Sequence, residues 1–130
     1  MTVSMLDTNA VSNLIRDRLT KAPPLKSPPE NVCISTISEV ELLFGVQRRP
    51  EAHSLNEMII RFIEGLPVLN FDREAAGRYG ALRAEMQRMG KSLTALDMLI
   101  AAHALSIGAT LVTSDAAFRH VPGLAVEDWA

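Results

Sequence analysis

The 130-residue chain holds a single cysteine, Cys33. No intrachain disulfide can form, and the pattern fits a reducing, cytoplasmic compartment. No apolar run approaches the ~20 residues needed to span a bilayer. No basic stretch precedes an apolar one at the N-terminus, so no signal peptide is expected. Glycine and proline number only seven each, which gives no support to a low-complexity or fibrous class. No internal repeat is visible. Nor is there a large excess of one charge: thirteen basic residues stand against fifteen acidic, a net −2. That balance argues at first against a nucleic-acid partner. Four acids gathered in one place and offset by bound cations would nevertheless leave the remainder basic, so the distribution of charge decides more than its sum.

What is present is ordinary globular composition, 48% apolar and 22% charged. One domain over residues 1–130 is expected, able to bury about two-thirds of its unfolded surface. Residues 3–6 read as a buried strand and residues 9–20 as a helix with Val11, Leu14, Ile15 and Leu19 on one face. "KAPPLKSPPEN" (21–31) carries four prolines and reads as a loop. "VCIS" (32–35) is a second strand, and residues 36–49 form a helix, with Pro50 placed to begin the next. There Leu55, Met58, Ile59, Phe62 and Ile63 make an amphipathic stripe that Gly65 ends. "PVLNF" is a third strand. Asp72 can cap a long helix over 73–89, with Ala75, Tyr79, Leu82, Met86 and Met89 facing inward and Gly90 as its stop. Residues 95–107 are apolar nearly all round and read as a buried helix closed by Gly108. Strands at 110–113 and near 124–127 flank a short turn or helix at 115–119. Strands alternate with helices throughout. The expected class is α/β, with a mostly parallel sheet of four to five strands and helices on both faces.

Four acids stand out: Asp7, Glu41, Asp97 and Asp115. Singly, each has a bland explanation. Asp7-Thr8-Asn9 reads as an Asx-turn or cap, Ser38…Glu41 and Thr94…Asp97 match capping boxes, and Ser114-Asp115 can cap the last short helix. Together they say more. Asp7 and Asp115 follow apolar strands, while Glu41 and Asp97 lie in the first turns of helices. In a parallel sheet those positions share one edge, the edge where ligands bind. Glu41 falls on the stripe of Ile37, Val40 and Phe44 and so points inward, whereas Glu39 points to solvent. Asp97 lies among Leu93, Leu96, Ile100, Ala101 and Ala104. A carboxylate on an apolar face is costly unless paired, and no Lys or Arg stands at helical spacing from either. A divalent cation resolves the cost. An all-carboxylate oxygen set suits Mg²⁺ or Mn²⁺ and not Zn²⁺, and a site of that kind performs phosphoryl chemistry.

"MLDTN", "ISEVELLFG", "LDMLIAAHAL" and "TLVTSDAAFRHVPGLAVEDW" resemble the successive motifs of PIN-domain proteins, above all the VapC-like toxins of bacterial toxin–antitoxin pairs. The likeness covers nearly the whole chain in order. Residue by residue, the family's acidic positions fall on Asp7, Glu41, Asp97 and Asp115. The resemblance implies a three-layer PIN-like fold and a Mg²⁺- or Mn²⁺-dependent endoribonuclease that leaves a 5′-phosphate. It also implies a homodimer held silent by a cognate antitoxin, with no membrane partner. Where the family often has Pro-Ile-Gly before the third acid, this chain has Ser92-Leu93-Thr94.

Other features read as decoys. His103 falls within the buried helix, and His53 and His120 read as surface positions, so a histidine-pair ribonuclease is not expected. Gly77-Arg78-Tyr79-Gly80 mimics a KH loop but falls inside an amphipathic helix. Arg48-Arg49 reads as a solvated helix end, and Phe118 and Trp129 as packing residues. The competing class is a non-catalytic PIN-like interaction module that binds a partner protein through its acidic edge.

Overall fold

Three strands too short to stand alone, Ser4–Leu6 (β1), Val32–Ser35 (β2) and Thr110–Val112 (β4), make the centre of the sheet. Each is apolar on both faces, as strands sandwiched between helices must be. Val68–Leu69 (β3) and Val126–Glu127 (β5) add two-residue edges, giving an all-parallel sheet in the order β3-β2-β1-β4-β5. The computed structural model describes residues 2–20 and 29–129, so most of the expected 21–31 loop lies outside the described residues.

The helices are Thr8–Thr20 (α1), Thr36–Arg48 (α2), His53–Glu64 (α3), Arg73–Arg88 (α4) and Ala95–Ser106 (α5). The two-residue period of the strands assigns them to layers. Met5, Cys33 and Leu111, in register across the sheet, face α4 and α5 through Leu82, Met86, Ile100 and Ala104. Leu6, Ile34 and Val112, one position on, face the other layer through Val11, Ile15, Leu42, Ile59 and Ile63. Two cores therefore sandwich the sheet. Phe118, from the short 3₁₀ helix Ala116–His120, closes the first and is fully buried. Trp129 packs against the second.

Helix ends follow local chemistry. The Asp72 carboxylate accepts the Ala75 N–H at 3.0 Å and starts α4. Gly90 and Gly108, at φ 70° and 66°, end α4 and α5. Lys91 N–H then reaches Met86 O, and Ala109 N–H reaches Ala104 O, both at 2.9 Å. That six-to-one bond requires the left-handed residue that glycine supplies.

Three expectations are corrected. Pro50 does not open α3. It sits in the turn before, and α3 begins at His53 after Ala52, which supplies no side-chain cap. Met89 does not face the core. It lies past the end of α4 and is 47% exposed. The Ser38…Glu41 capping box does not form, because α2 starts three residues earlier. Ser35 is its N-cap and accepts the Ile37 N–H at 3.0 Å. Ser38 instead sits on the buried face with Leu42, and its hydroxyl finds no partner among the described residues.

An orphaned buried hydroxyl costs about 1–3 kcal/mol, and alanine is the better helix former. Ser38→Ala is therefore expected to raise stability by about 1 kcal/mol, read as a higher midpoint in urea melts. A lower midpoint would reveal a partner for that hydroxyl.

Candidate functional site

The strand order reverses direction between β1 and β4, and the crevice at their C-terminal ends is where open parallel sheets bind ligands. Asp7 follows β1 directly and is only 3% exposed. Its backbone N–H is bonded to Val112 O of β4 at 3.1 Å. Its Oδ1 accepts the Ala10 N–H at 2.7 Å, so the cap and the buried carboxylate are one residue. Asp115 stands just beyond β4 and caps the 3₁₀ helix through a 2.9 Å bond from Ala117 N–H. Thr113 joins the two. Its hydroxyl hydrogen-bonds the Asp7 carboxylate, and its Oγ1 accepts the Asp115 N–H at 3.0 Å.

Asp97 is the third residue of α5, above the same edge. Thr94 caps that helix by accepting the Asp97 N–H at 3.3 Å, and the Thr94 hydroxyl also hydrogen-bonds the Asp97 carboxylate. Glu41 enters from α2, where Thr8 Oγ1 donates to its Oε1 at 2.7 Å. Since Thr8 adjoins Asp7, that bond draws the fourth acid toward the crevice. Glu41 lies one turn deeper into its helix than expected, the first turn being occupied by Glu39. Its stripe also faces differently. Val40 and Phe44 are 59% and 62% exposed, because Ser38 and Leu42 take the core side. The periodicity was real, but the apolar face it marks is an open one.

Electrostatics ties the aspartates together. Burial pushes the Asp7 carboxyl above its ordinary value near 3.8, and the charges of Asp97 and Asp115 push it further. Its bonds from Thr113 and the Ala10 N–H oppose that rise. Burial and Asp115 likewise raise Asp97, against its bond from Thr94. Among the described residues no Lys or Arg pairs with any of the four acids; Arg61 instead pairs with Glu57 on the exposed face of α3. Nor do any three acidic, His or Cys side chains among these residues stand close enough, as placed, to hold one ion between them. The donor set still fits a hard cation. Mg²⁺ takes one or two carboxylates directly and keeps several waters, so such an ion does not require all the acids to converge on it.

Beside this edge runs an open groove of about 680 Å³, with Thr8, Glu41 and Leu96 at the carboxylate end and Phe44, Arg16 and Arg48 along it. The Arg48 guanidinium lies 5.4 Å over the Phe44 ring. Neither the groove nor the threonine partners are marked by a local sequence pattern, although Thr8 and Thr113 lie within two residues of Asp7 and Asp115. The decoys resolve as expected: His53 and His120 are exposed, and Gly77 and Gly80 lie within α4.

The PIN domain family model matches residues 4–124. The chain belongs to the PIN-domain family. Its relatives include the tRNA(fMet)-specific endonuclease VapC of Salmonella typhimurium, 33% identical over 127 residues and covering 96% of each chain. Ribonuclease VapC2 of Rickettsia felis is 30% identical, covering 98% of both. Among solved structures, DNA-bound VapBC from Salmonella typhimurium superposes with a TM-score of 0.85 at 32% identity over 100% of both chains. VapBC2 from Rickettsia felis bound to a promoter DNA fragment gives 0.82 at 27% identity, over 99% of this chain and 100% of that one. The five-stranded parallel sheet between two helical layers is thus the PIN fold.

The raised carboxyls of this PIN domain carry a pH dependence. A folded state with raised values holds protons that the unfolded chain has released. The metal-free protein therefore loses stability as pH rises from about 4 through those raised values. Asp97→Asn relieves part of the repulsion and is expected to stabilise the metal-free protein near neutral pH by about 1 kcal/mol. Saturating Mg²⁺ is expected to stabilise the native protein more than the variant. Thermal melts with chelator and with Mg²⁺ check both. A lower metal-free midpoint for the variant would show that Asp97 chiefly braces the cap of α5.

Proposed function

We propose that this PIN domain is a metal-dependent endoribonuclease acting as the toxin of a toxin–antitoxin pair. The observation that carries the reading is the set of mutually repelling aspartates, Asp7, Asp97 and Asp115, held at the strand switch point with no basic partner among the described residues. Asp7, Asp97, Asp115 and Glu41 would hold Mg²⁺ or Mn²⁺. When bound, that ion lowers the pKa of attacking water and offsets charge on the leaving oxygen. The chain's own part is orientation: Thr113, Thr94 and Thr8 fix the carboxylates, and the sheet edge keeps them on one side. Attack by a metal-activated water requires no protein nucleophile, and the family resemblance implies a 5′-phosphate product.

The curated relatives are named as VapC ribonucleases, two of them tRNA(fMet)-specific, and the superposed structures are VapBC complexes. Both support RNA as substrate and an antitoxin as partner. The exposed Val40, Phe44 and Leu96 offer that partner an apolar seat beside the acids. A homodimer belongs to the same reading. No helix among the described residues is long and apolar enough to cross a membrane, and a cytoplasmic site of action is part of the proposal.

The competing reading, a non-catalytic module, draws on the absence of three converging donors among the described residues. A docking patch tolerates dispersed acids, whereas Asp7 feels both other aspartates. Purified protein is expected to cleave RNA with Mg²⁺ or Mn²⁺ and to stop in excess chelator. Asp7→Asn is expected to lose at least the ~10–100-fold that outer-shell metal partners are worth. Full activity in chelator, or 2′,3′-cyclic phosphate ends, would refute water attack assisted by a metal. In cells, expression of the native chain alone is expected to arrest growth, and of Asp97→Asn to be harmless. Normal growth with abundant folded native protein would refute the toxin role while leaving the nuclease in place.

A further inference from the structure

His103 is the one buried histidine, and the proposed chemistry does not use it. Its Nδ1 lies 2.7 Å from Ser35 Oγ, a contact spanning 68 residues of sequence. Ser35 is no ordinary surface hydroxyl. It ends β2, caps α2 and is fully buried. Its Oγ already accepts the Ile37 N–H, and it shares a further hydrogen bond with Nδ1, whose direction follows the imidazole tautomer. Burial holds the imidazole below its ordinary value, despite the opposing charge of Asp72, so the ring is neutral and one of its nitrogens is an acceptor.

A second pair of contacts surrounds this bond. The Phe71 ring meets the imidazole edge-on, with centroids 5.5 Å apart at 78°. The Phe71 N–H donates to Thr36 Oγ1, the first residue of α2, at 3.1 Å. Asp72, next in sequence, caps α4. The end of β2, the start of α2, the connection into α4 and the last turn of α5 therefore meet at one buried imidazole.

The placement bears on the acids. Glu41 lies six residues along α2 from Ser35, and Asp97 six residues along α5 from His103. At 1.5 Å of rise per residue, each carboxylate stands about 9 Å from the joint along its own helix. Glu41 and Leu96, the neighbour of Asp97, then line the same groove. We infer that His103 is a positioning residue: its bond to the α2 cap Ser35 sets the spacing between the helices that carry Asp97 and Glu41.

This inference rests on the nuclease reading, and two readouts separate the fates of the two. Native protein, His103→Leu, His103→Asn and Ser35→Ala are compared by Mn²⁺ titration and by RNA-cleavage kinetics. Asparagine keeps a polar group where Nδ1 stands; leucine does not. His103→Leu and Ser35→Ala are expected to bind Mn²⁺ several-fold more weakly and to lose at least tenfold in kcat, with KM changed less than threefold. His103→Asn is expected to recover most of both. Equal losses in His103→Asn and His103→Leu would reduce the residue to packing and overturn the inference. So would native-like Mn²⁺ binding in Ser35→Ala, the variant that decides if His103→Leu fails to fold. If native protein cleaves no RNA, the nuclease reading falls, and the Mn²⁺ titrations still decide the role of His103.

Discussion

Parallel pairing of β1 with both β2 and β4 is the constraint on which the rest depends. It sends α1 and α5 to opposite faces and brings the C-terminal ends of three strands to one edge. Each strand is only three or four residues long, so register leaves no slack: a one-residue slip would turn Met5 and Leu6 to the wrong layers. The chain exits β1 at Asp7 and β4 just before Asp115. Two carboxylates thus arrive at the switch point because the strands end there.

That arrangement opposes stability. Burying Asp7 beside two like charges raises its carboxyl, and each raised value is free energy withheld from the metal-free fold at neutral pH. The two cores supply the compensation. Each strand face buries branched or long apolar side chains, with Met86, Ile100 and Phe118 on one side and Val11, Ile15 and Leu42 on the other. An edge that repels itself can sit on so small a domain because the interior beneath it is closed.

The elements of the fold were legible because strands and helices alternate with different periods, and the caps Asp72, Thr94 and Asp115 carry local chemistry. The four acids stand out in the sequence too, Asp7 and Asp115 because they follow apolar strands, Glu41 and Asp97 because they interrupt apolar helical patterns. Two things were not legible. Periodicity shows that Val40 and Phe44 share a face, but only the packing of Ser38 and Leu42 shows that the face is open. Pro50 suits a helix start by its fixed φ, yet Asn56 bonds Val46 O and Arg49 O, and so binds the end of α2 to the first turn of α3. Long-range bonds of that sort, like the one between His103 and Ser35, leave no mark on local sequence.

On the proposed metal-dependent reading, the choice of partners for the acids follows from what the edge would hold. Glu41, Asp97 and Asp7 each take a hydrogen bond from a threonine, Thr8, Thr94 and Thr113. A lysine or arginine in those places would stabilise the fold more, because it would cancel the charge that raises the aspartates. It would also occupy the lone pairs and neutralise the potential that a divalent cation requires. A hydroxyl orients a carboxylate and favours its ionised form while adding no positive charge. The threonines therefore hold the geometry in place without discharging it. The repulsion that remains is the driving force available to a cation, and the same groups that weaken the empty fold are those that would bind Mg²⁺.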